Sequence, residues 1–217
     1  GPVKNVSPYK IFFKDNVINN KISFNSYPSL EAQAAAIADD IAYNNHDLED
    51  GLRAKLFSIK KLSNITLVRN IINKHIKNVK VFRKEIIINQ IIRELINLMV
   101  MDVINNTKKN LKKYNIKTIH DVYKVNHAVV DFSKNMKKVD IQIKNFLNLN
   151  MYNHKDVIVN TNKGKKVIKY LFNFLTNNSK KYINKELLKK DNKERVIADF
   201  IAGMTDRFAI NLYKKIK

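Results

Sequence analysis

Cysteine is absent from the 217 residues, and glycine and proline nearly so, at four and three. Without a thiol, a disulfide framework, a thiolate zinc site and a cysteine nucleophile are excluded, so any metal must sit on His, Asp or Glu. A cysteine-free chain also suits a reducing compartment, and the cytoplasm is the expected location. Long apolar runs are missing too. The greasiest stretch, Ile86 to Ile104, is interrupted by Arg93, Glu94 and Asp102 and falls short of the roughly 20 apolar residues that a bilayer span needs, so no membrane partner is expected. Acidic residues are scarce, 19 against 41 Lys plus Arg, for a net charge of +22 and a pI near 10.0. What remains is 45% hydrophobic and 28% charged, a globular composition that excludes a disordered chain.

Such a charge has two readings at this level. Lys and Arg gain affinity for nucleic acids by displacing counterions from phosphates, which makes single-stranded nucleic acid a candidate partner. Heavy use of Lys, Asn and Ile together is equally the signature of an AT-rich coding sequence. The distribution is more telling than the sum. Residues 1 to 50 carry four lysines against seven acids, whereas residues 51 to 217 carry 37 bases against 12 acids. Between Lys21 and Arg53 lies an island with no Lys or Arg, containing Glu31, Asp39, Asp40, Asp47, Glu49 and Asp50.

Most segments after Pro28 repeat apolar residues at spacings of three and four, which predicts an all-α fold. Residues Tyr9 to Tyr27 are the exception and suggest a short hairpin or irregular arm. Pro28 suits a helix start. The helix from Leu30 to about Asp50 is given an apolar stripe of Leu30, Ala34, Ile37, Ile41 and Leu48, with Gly51 as its stop or kink. Further helices are expected at Leu67–Lys77, Arg83–Leu111, Met136–Leu149, Val157–Phe174 and Lys193–Lys215. Asn105–Tyr114 and Asn177–Lys193 read as solvated ends and loops, and Met204 and Phe208 as core. The second of the long helices, Arg83–Leu111, is expected to be central. No internal repeat or domain linker stands out.

On an ideal helix of 3.6 residues per turn, Asp39, Tyr43, His46 and Asp50 fall nearly on one line with Asp47 beside it, while Ile37 and Ile41 face elsewhere. Hard divalent cations take oxygen ligands, and a sugar or base takes a ring to stack on and a carboxylate to accept a hydroxyl proton. The face therefore suits a nucleotide-and-metal site. A solvated acidic surface is the competing reading.

The run Ser29 to Arg53 (SLEAQAAAIADDIAYNNHDLEDGLR) closely resembles the last metal-ligand helix of bacterial deoxyguanosine triphosphate triphosphohydrolase-like proteins of the HD superfamily. Three later runs, Arg93–Ile104, Asn145–His154 and Arg195–Ala209, resemble further family segments in the same order. The resemblance implies an all-α fold of which residues 29–217 are the C-terminal helical portion, with residues 1–28 an arm or a connection from an upstream half. It implies a metal-dependent reaction that splits a deoxynucleoside triphosphate into deoxynucleoside and tripolyphosphate, with Mg, Mn or a similar divalent cation as cofactor. It also implies symmetric homo-oligomers.

Carried over position by position, Asp39 is the family's final metal ligand. Tyr43 packs on the deoxyribose, and Asp47 accepts a hydrogen bond from the 3′-hydroxyl. The family's other ligands, a His and a His-Asp pair, lie upstream, yet no His precedes Asp39 here. His46-Asp47 follows the ligand instead of preceding it, and His120-Asp121 suits a surface or capping role. The chain is therefore expected to begin in mid-protein and to be inactive without the upstream half. The alternative is a non-catalytic remnant that binds nucleotides or single-stranded nucleic acid. Asn162–Lys166 has a Gly-Lys step without the upstream glycine of a phosphate loop.

Overall fold

A computed structural model describes residues 26–77, 84–189 and 191–217. The arm over Tyr9–Tyr27 lies almost wholly outside them. The described residues are all-α, with nine α-helices and no strand among them. We label these α1 (Leu30–Arg53), α2 (Ile59–Leu62), α3 (Thr66–Lys77), α4 (Lys84–Lys113), α5 (Ile119–Lys124), α6 (Lys134–Leu147), α7 (Lys155–Tyr182), α8 (Lys193–Ala202) and α9 (Asp206–Ile216). The chain divides into two compact units, one ending at Met151 and one running Tyr152–Lys217. No glycine or proline marks the division, which falls in a π-helical turn, Asn148–Tyr152.

In the first unit α4 is central, as expected, and packs against α1 and α3. Ile87, Ile88, Ile91, Ile92, Leu95 and Met99 line its buried side and meet Leu48 and Leu52 of α1 in one core. The helix continues through Asn105–Lys113, the stretch whose Lys and Asn suggested a loop. Those asparagines are anchors. Asp102, Asn106 and Asn110, each one turn apart, reach the loop before α6. Asp102 accepts from the Ser133 amide (2.8 Å) and hydroxyl (2.7 Å), Asn106 donates to the Asp131 carbonyl (2.9 Å), and Asn110 to the Val129 carbonyl (2.8 Å). From the other side the Gln33 carbonyl oxygen accepts the amides of Val129 (2.8 Å) and Val130 (3.1 Å). A buried backbone without sheet or helix partners is thus satisfied by side chains.

Helix α1 starts one residue later than Pro28 suggested. Ser29 is the N-cap, and the Pro28 carbonyl accepts from the Gln33 side chain at 2.8 Å. Its inner face departs from the expected stripe: Ala34 is exposed, and Gln33, Asn44 and Asn45 are buried beside Ile41 and Leu48. Gly51 neither stops nor kinks the helix. It is buried within α1, where an added Cβ would collide with the Phe57 ring, which is itself buried and packed edge-on against Phe146 at 4.9 Å. The stop comes four residues on, where Lys55 takes a left-handed φ of 59°. The Leu56 amide then reaches the Gly51 carbonyl (2.9 Å) and the Lys55 amide the Leu52 carbonyl (3.3 Å), a Schellman closure. Asn115, φ 49°, ends α4 the same way.

In the second unit α7 packs on α8 and α9 around Leu171, Leu175, Ile197 and Ile201. Helix α7 runs past Phe174 to Tyr182 with a kink at Asn178. The single helix expected over Lys193–Lys215 is two, since Gly203 caps α8 and the Thr205 hydroxyl accepts the Phe208 amide to start α9. The break turns Phe208 outward, 53% exposed, while Met204 stays against the core. Among the described residues no helix is long and apolar enough to cross a membrane.

The two devices at the end of α1 make opposite predictions. Gly51→Ala lowers stability by about 1–3 kcal/mol through overpacking against a ring that cannot yield, although alanine is the better helix former. Lys55→Gly raises it by roughly 0.5–1 kcal/mol by removing left-handed strain. Urea midpoints of the two variants, read against the wild type, check both signs.

A third prediction concerns pH. Glu94 of α4 bonds Lys74 (2.8 Å) and His75 (2.5 Å) of α3. The Lys74 hydrogen bond pulls its carboxyl below the ordinary glutamate value of 4.5; burial opposes this and His75 reinforces it. With the folded value below the unfolded one, the pairing contributes fully above pH 4.5 and is lost as pH falls through the lowered value. Glu94→Gln accordingly makes the acid limb of a thermal-midpoint profile shallower below about pH 4.5 and leaves its neutral and alkaline parts parallel to the wild type.

Candidate functional site

The acidic island is the outer half of α1, and packing sorts its carboxylates. The inner half is fixed by Asp140 of α6, the only buried ionisable side chain among the described residues at 7% exposure. Its carboxylate accepts from Asn44 of α1 (3.3 Å) and is paired with Lys144 (3.0 Å), one turn along α6. Lys144 bridges on to Asp40 of α1, also at 3.0 Å. Partial burial pulls the Lys144 ammonium down, but its hydrogen bonds and charge contacts with Asp140 and Asp40 outweigh that and hold it above the usual lysine range. Asn45 adds bonds to the Ile41 carbonyl (2.8 Å) and Met99 sulfur (3.4 Å), which lock α1 onto α4.

With α1 so rotated, Asp39, Tyr43 and Asp47 follow one another at single-turn intervals on the side away from these contacts. At 1.5 Å per residue the three span about 12 Å of helix. Asp39 is exposed and has no hydrogen-bond or ion-pair partner among the described residues. Tyr43 is 59% exposed, with its ring open to contact. Asp47 is half-buried. The remaining acids are occupied or peripheral. Glu49 binds Arg53 (2.7 Å), which also reaches Asn89 of α4 (2.6 Å), and Glu31 lies in the first turn, where a carboxylate complements the helix dipole. Asp50 is exposed, and His46 is exposed with its Nδ1 3.8 Å from Glu49.

The donor set decides what metal chemistry this face can hold. Among the described residues no group of three His, Asp or Glu side chains converges to bind a cation, so the residues present fit one coordination position, at Asp39. The other histidines serve the fold. His75 pairs with Glu94, and His127 stacks on Tyr114 at 4.2 Å. His154 caps α7 through the Asp156 amide. In the His120-Asp121 dipeptide, Asp121 completes a capping box with Thr118, which holds its carboxyl below the usual range through the amides of Lys117 and Thr118.

Sequence reasoning missed the Asn44–Asp140–Lys144–Asp40 chain. The available signal was position. Gln33, Asn44 and Asn45 fall at the three-and-four spacing of Ile37, Ile41 and Leu48, so polar residues on an inward stripe announce partners from another element.

The surrounding segments match known proteins in the same arrangement. Residues 130–215 match the phosphohydrolase-associated domain. The chain is 50% identical over 197 residues to a deoxyguanosinetriphosphate triphosphohydrolase-like protein of Pelagibacter ubique, 91% of this chain and 53% of that protein. Proteins of the same description from Geobacter sulfurreducens (36%, 87% of this chain, 50% of theirs) and Rickettsia typhi (35%, 91% and 53%) are similar over corresponding lengths. The chain spans about half the length of these relatives and corresponds to their C-terminal portion. By sequence and by its helical fold, the chain belongs to the deoxyguanosinetriphosphate triphosphohydrolase-like proteins.

Proposed function

We propose that α1 supplies the final metal ligand and the sugar-binding residues of a deoxynucleoside triphosphate triphosphohydrolase site, completed by a segment outside this chain that carries a His and a His-Asp pair. The observation that supports this reading is the sorting of carboxylates. Asp40 and Glu49 are ion-paired and Asp140 is buried, while Asp39, in line with an open tyrosine, is left outward without a partner. In this reading Asp39 takes one position on a Mg or Mn ion, whose contribution is Lewis acidity toward the triphosphate. Tyr43 lies flat on the deoxyribose, where its bulk disfavours a 2′-hydroxyl, and Asp47 accepts from the 3′-hydroxyl. Reactant and products are dNTP and water, and deoxynucleoside and tripolyphosphate. A cytoplasmic setting and symmetric self-association belong to the same proposal.

The test uses the longer protein, including the upstream segment, with dGTP and Mg or Mn, and follows tripolyphosphate by ion chromatography. Turnover is expected, and Asp39→Ala lowers it beyond the roughly 10–100-fold typical of outer-shell changes. Because Asp39 is exposed and unpaired, the same variant shifts stability by no more than about 0.5 kcal/mol. Intact dNTPs with every divalent metal, or an active Asp39→Ala, would discard the proposal.

One observation favours a second reading, a non-catalytic protein that binds single-stranded nucleic acid: the excess of 37 bases over 12 acids after residue 50. That reading requires oligonucleotide affinity that falls steeply between 50 and about 200 mM salt. A flat salt response removes it.

A further inference from the structure

The second unit carries a groove of about 530 Å³ between α7 and α9 that no contact within the chain fills. Its walls are apolar: Val167 and Ile168 from α7, and Ala209, Ile210 and Tyr213 from α9. Ile168 and Ile210 remain 46% and 43% exposed. The walls are held in place, because the Tyr170 hydroxyl donates to the Ile216 carbonyl (3.2 Å) and its ring meets Tyr213 edge-on at 5.1 Å.

Gly164 lies on this groove, inside α7. A glycine in a helix interior weakens the helix relative to alanine, and it is kept where φ is positive or where something comes close. Neither reason exists within the chain. No glycine has positive φ among the described residues, and a Cβ added at Gly164 would meet nothing within 4 Å. This is the reverse of Gly51, whose missing Cβ is accounted for by Phe57. What approaches Gly164 therefore comes from outside.

Charge selects the visitor. Two lysines, Lys163 and Lys214, line the groove against one acid, Asp206, and the exposed Lys165 and Lys166 follow Gly164 directly. A second copy presenting the same face would set lysine against lysine, whereas an acidic partner meets opposite charge. The paired wall residues, Gly164 and Ile168 on α7 with Ala209 and Tyr213 on α9, each span one helical turn, which matches two apolar anchors one turn apart on a helix. We propose that the α7–α9 groove is a docking site for an acidic amphipathic helix of a partner protein, with its backbone passing over Gly164, two apolar side chains between Ile168 and Ile210, and carboxylates toward Lys163 and Lys214.

The probe is a fluorescein-labelled 18-residue peptide with leucines along one helical face and glutamates along the other, titrated with the full chain by anisotropy. Saturable one-to-one binding is expected. Gly164→Leu weakens it at least tenfold while the thermal midpoint holds or rises, so the loss cannot come from unfolding. Lys163→Glu with Lys214→Glu also weakens it at least tenfold, whereas Lys108→Glu with Lys109→Glu, the same change in net charge on α4, costs less than twofold. The proposal is overturned if the wild-type chain shows no saturable binding, if Gly164→Leu binds unchanged, or if both lysine pairs lose affinity alike. It is equally overturned if a lysine-for-glutamate version of the peptide binds as tightly, or if sedimentation finds a dimer that Gly164→Leu dissolves, which would make the occupant a second copy.

Discussion

A carboxylate withdrawn from water must be met by charge and hydrogen bonds or it will not stay ionised. Asp140 is the place in this chain where that requirement is imposed, and Asn44 and Lys144 meet it from two helices. Satisfying Asp140 fixes the roll of α1 about its own axis, because Asn44 can reach it from only one rotation. Lys144 then holds Asp40 on the flank of the helix, and the next line of residues, Asp39, Tyr43 and Asp47, is left facing out. The orientation of the candidate site is thus a by-product of burying one acid elsewhere.

The same logic runs through the rest of the first unit. Its irregular segment before α6 has no ladder to satisfy its backbone, so Gln33 of α1 and Asp102, Asn106 and Asn110 of α4 do so with side chains. Residues that look like loop formers by composition are used as brackets between elements. A chain with four glycines and three prolines has little other means of shaping a turn, and it closes α1 and α4 with a strained lysine and an asparagine where glycine is the usual choice.

How far the sequence was legible follows from which forces are local. Apolar spacing located every long helix, and the placement of Asp39, Tyr43 and Asp47 on one line needed only the helical repeat. Caps and breaks were harder. Lys55 and Asn115 end helices through backbone closures that no residue type advertises, and Gly51 was misread because its reason, the ring of Phe57, arrives from beyond the helix. Asn105–Lys113 was misread as loop since asparagine's weak helix propensity is overridden by tertiary bonds that only the fold supplies. The net charge of +22 proved the least informative feature, as the acids that matter were already segregated in one helix and the lysines that matter line one groove.

The Gln33 carboxamide has a consequence for motion. Val129 and Val130 sit in a segment with no regular structure, where amide hydrogens ordinarily exchange with solvent quickly. Theirs are held by a side chain rooted in the first turn of α1, 96 residues away along the chain. Isotope exchange at two loop amides therefore reports on fraying of a distant helix start, and the opening of that start is felt at the entrance to α6 before any core residue has moved.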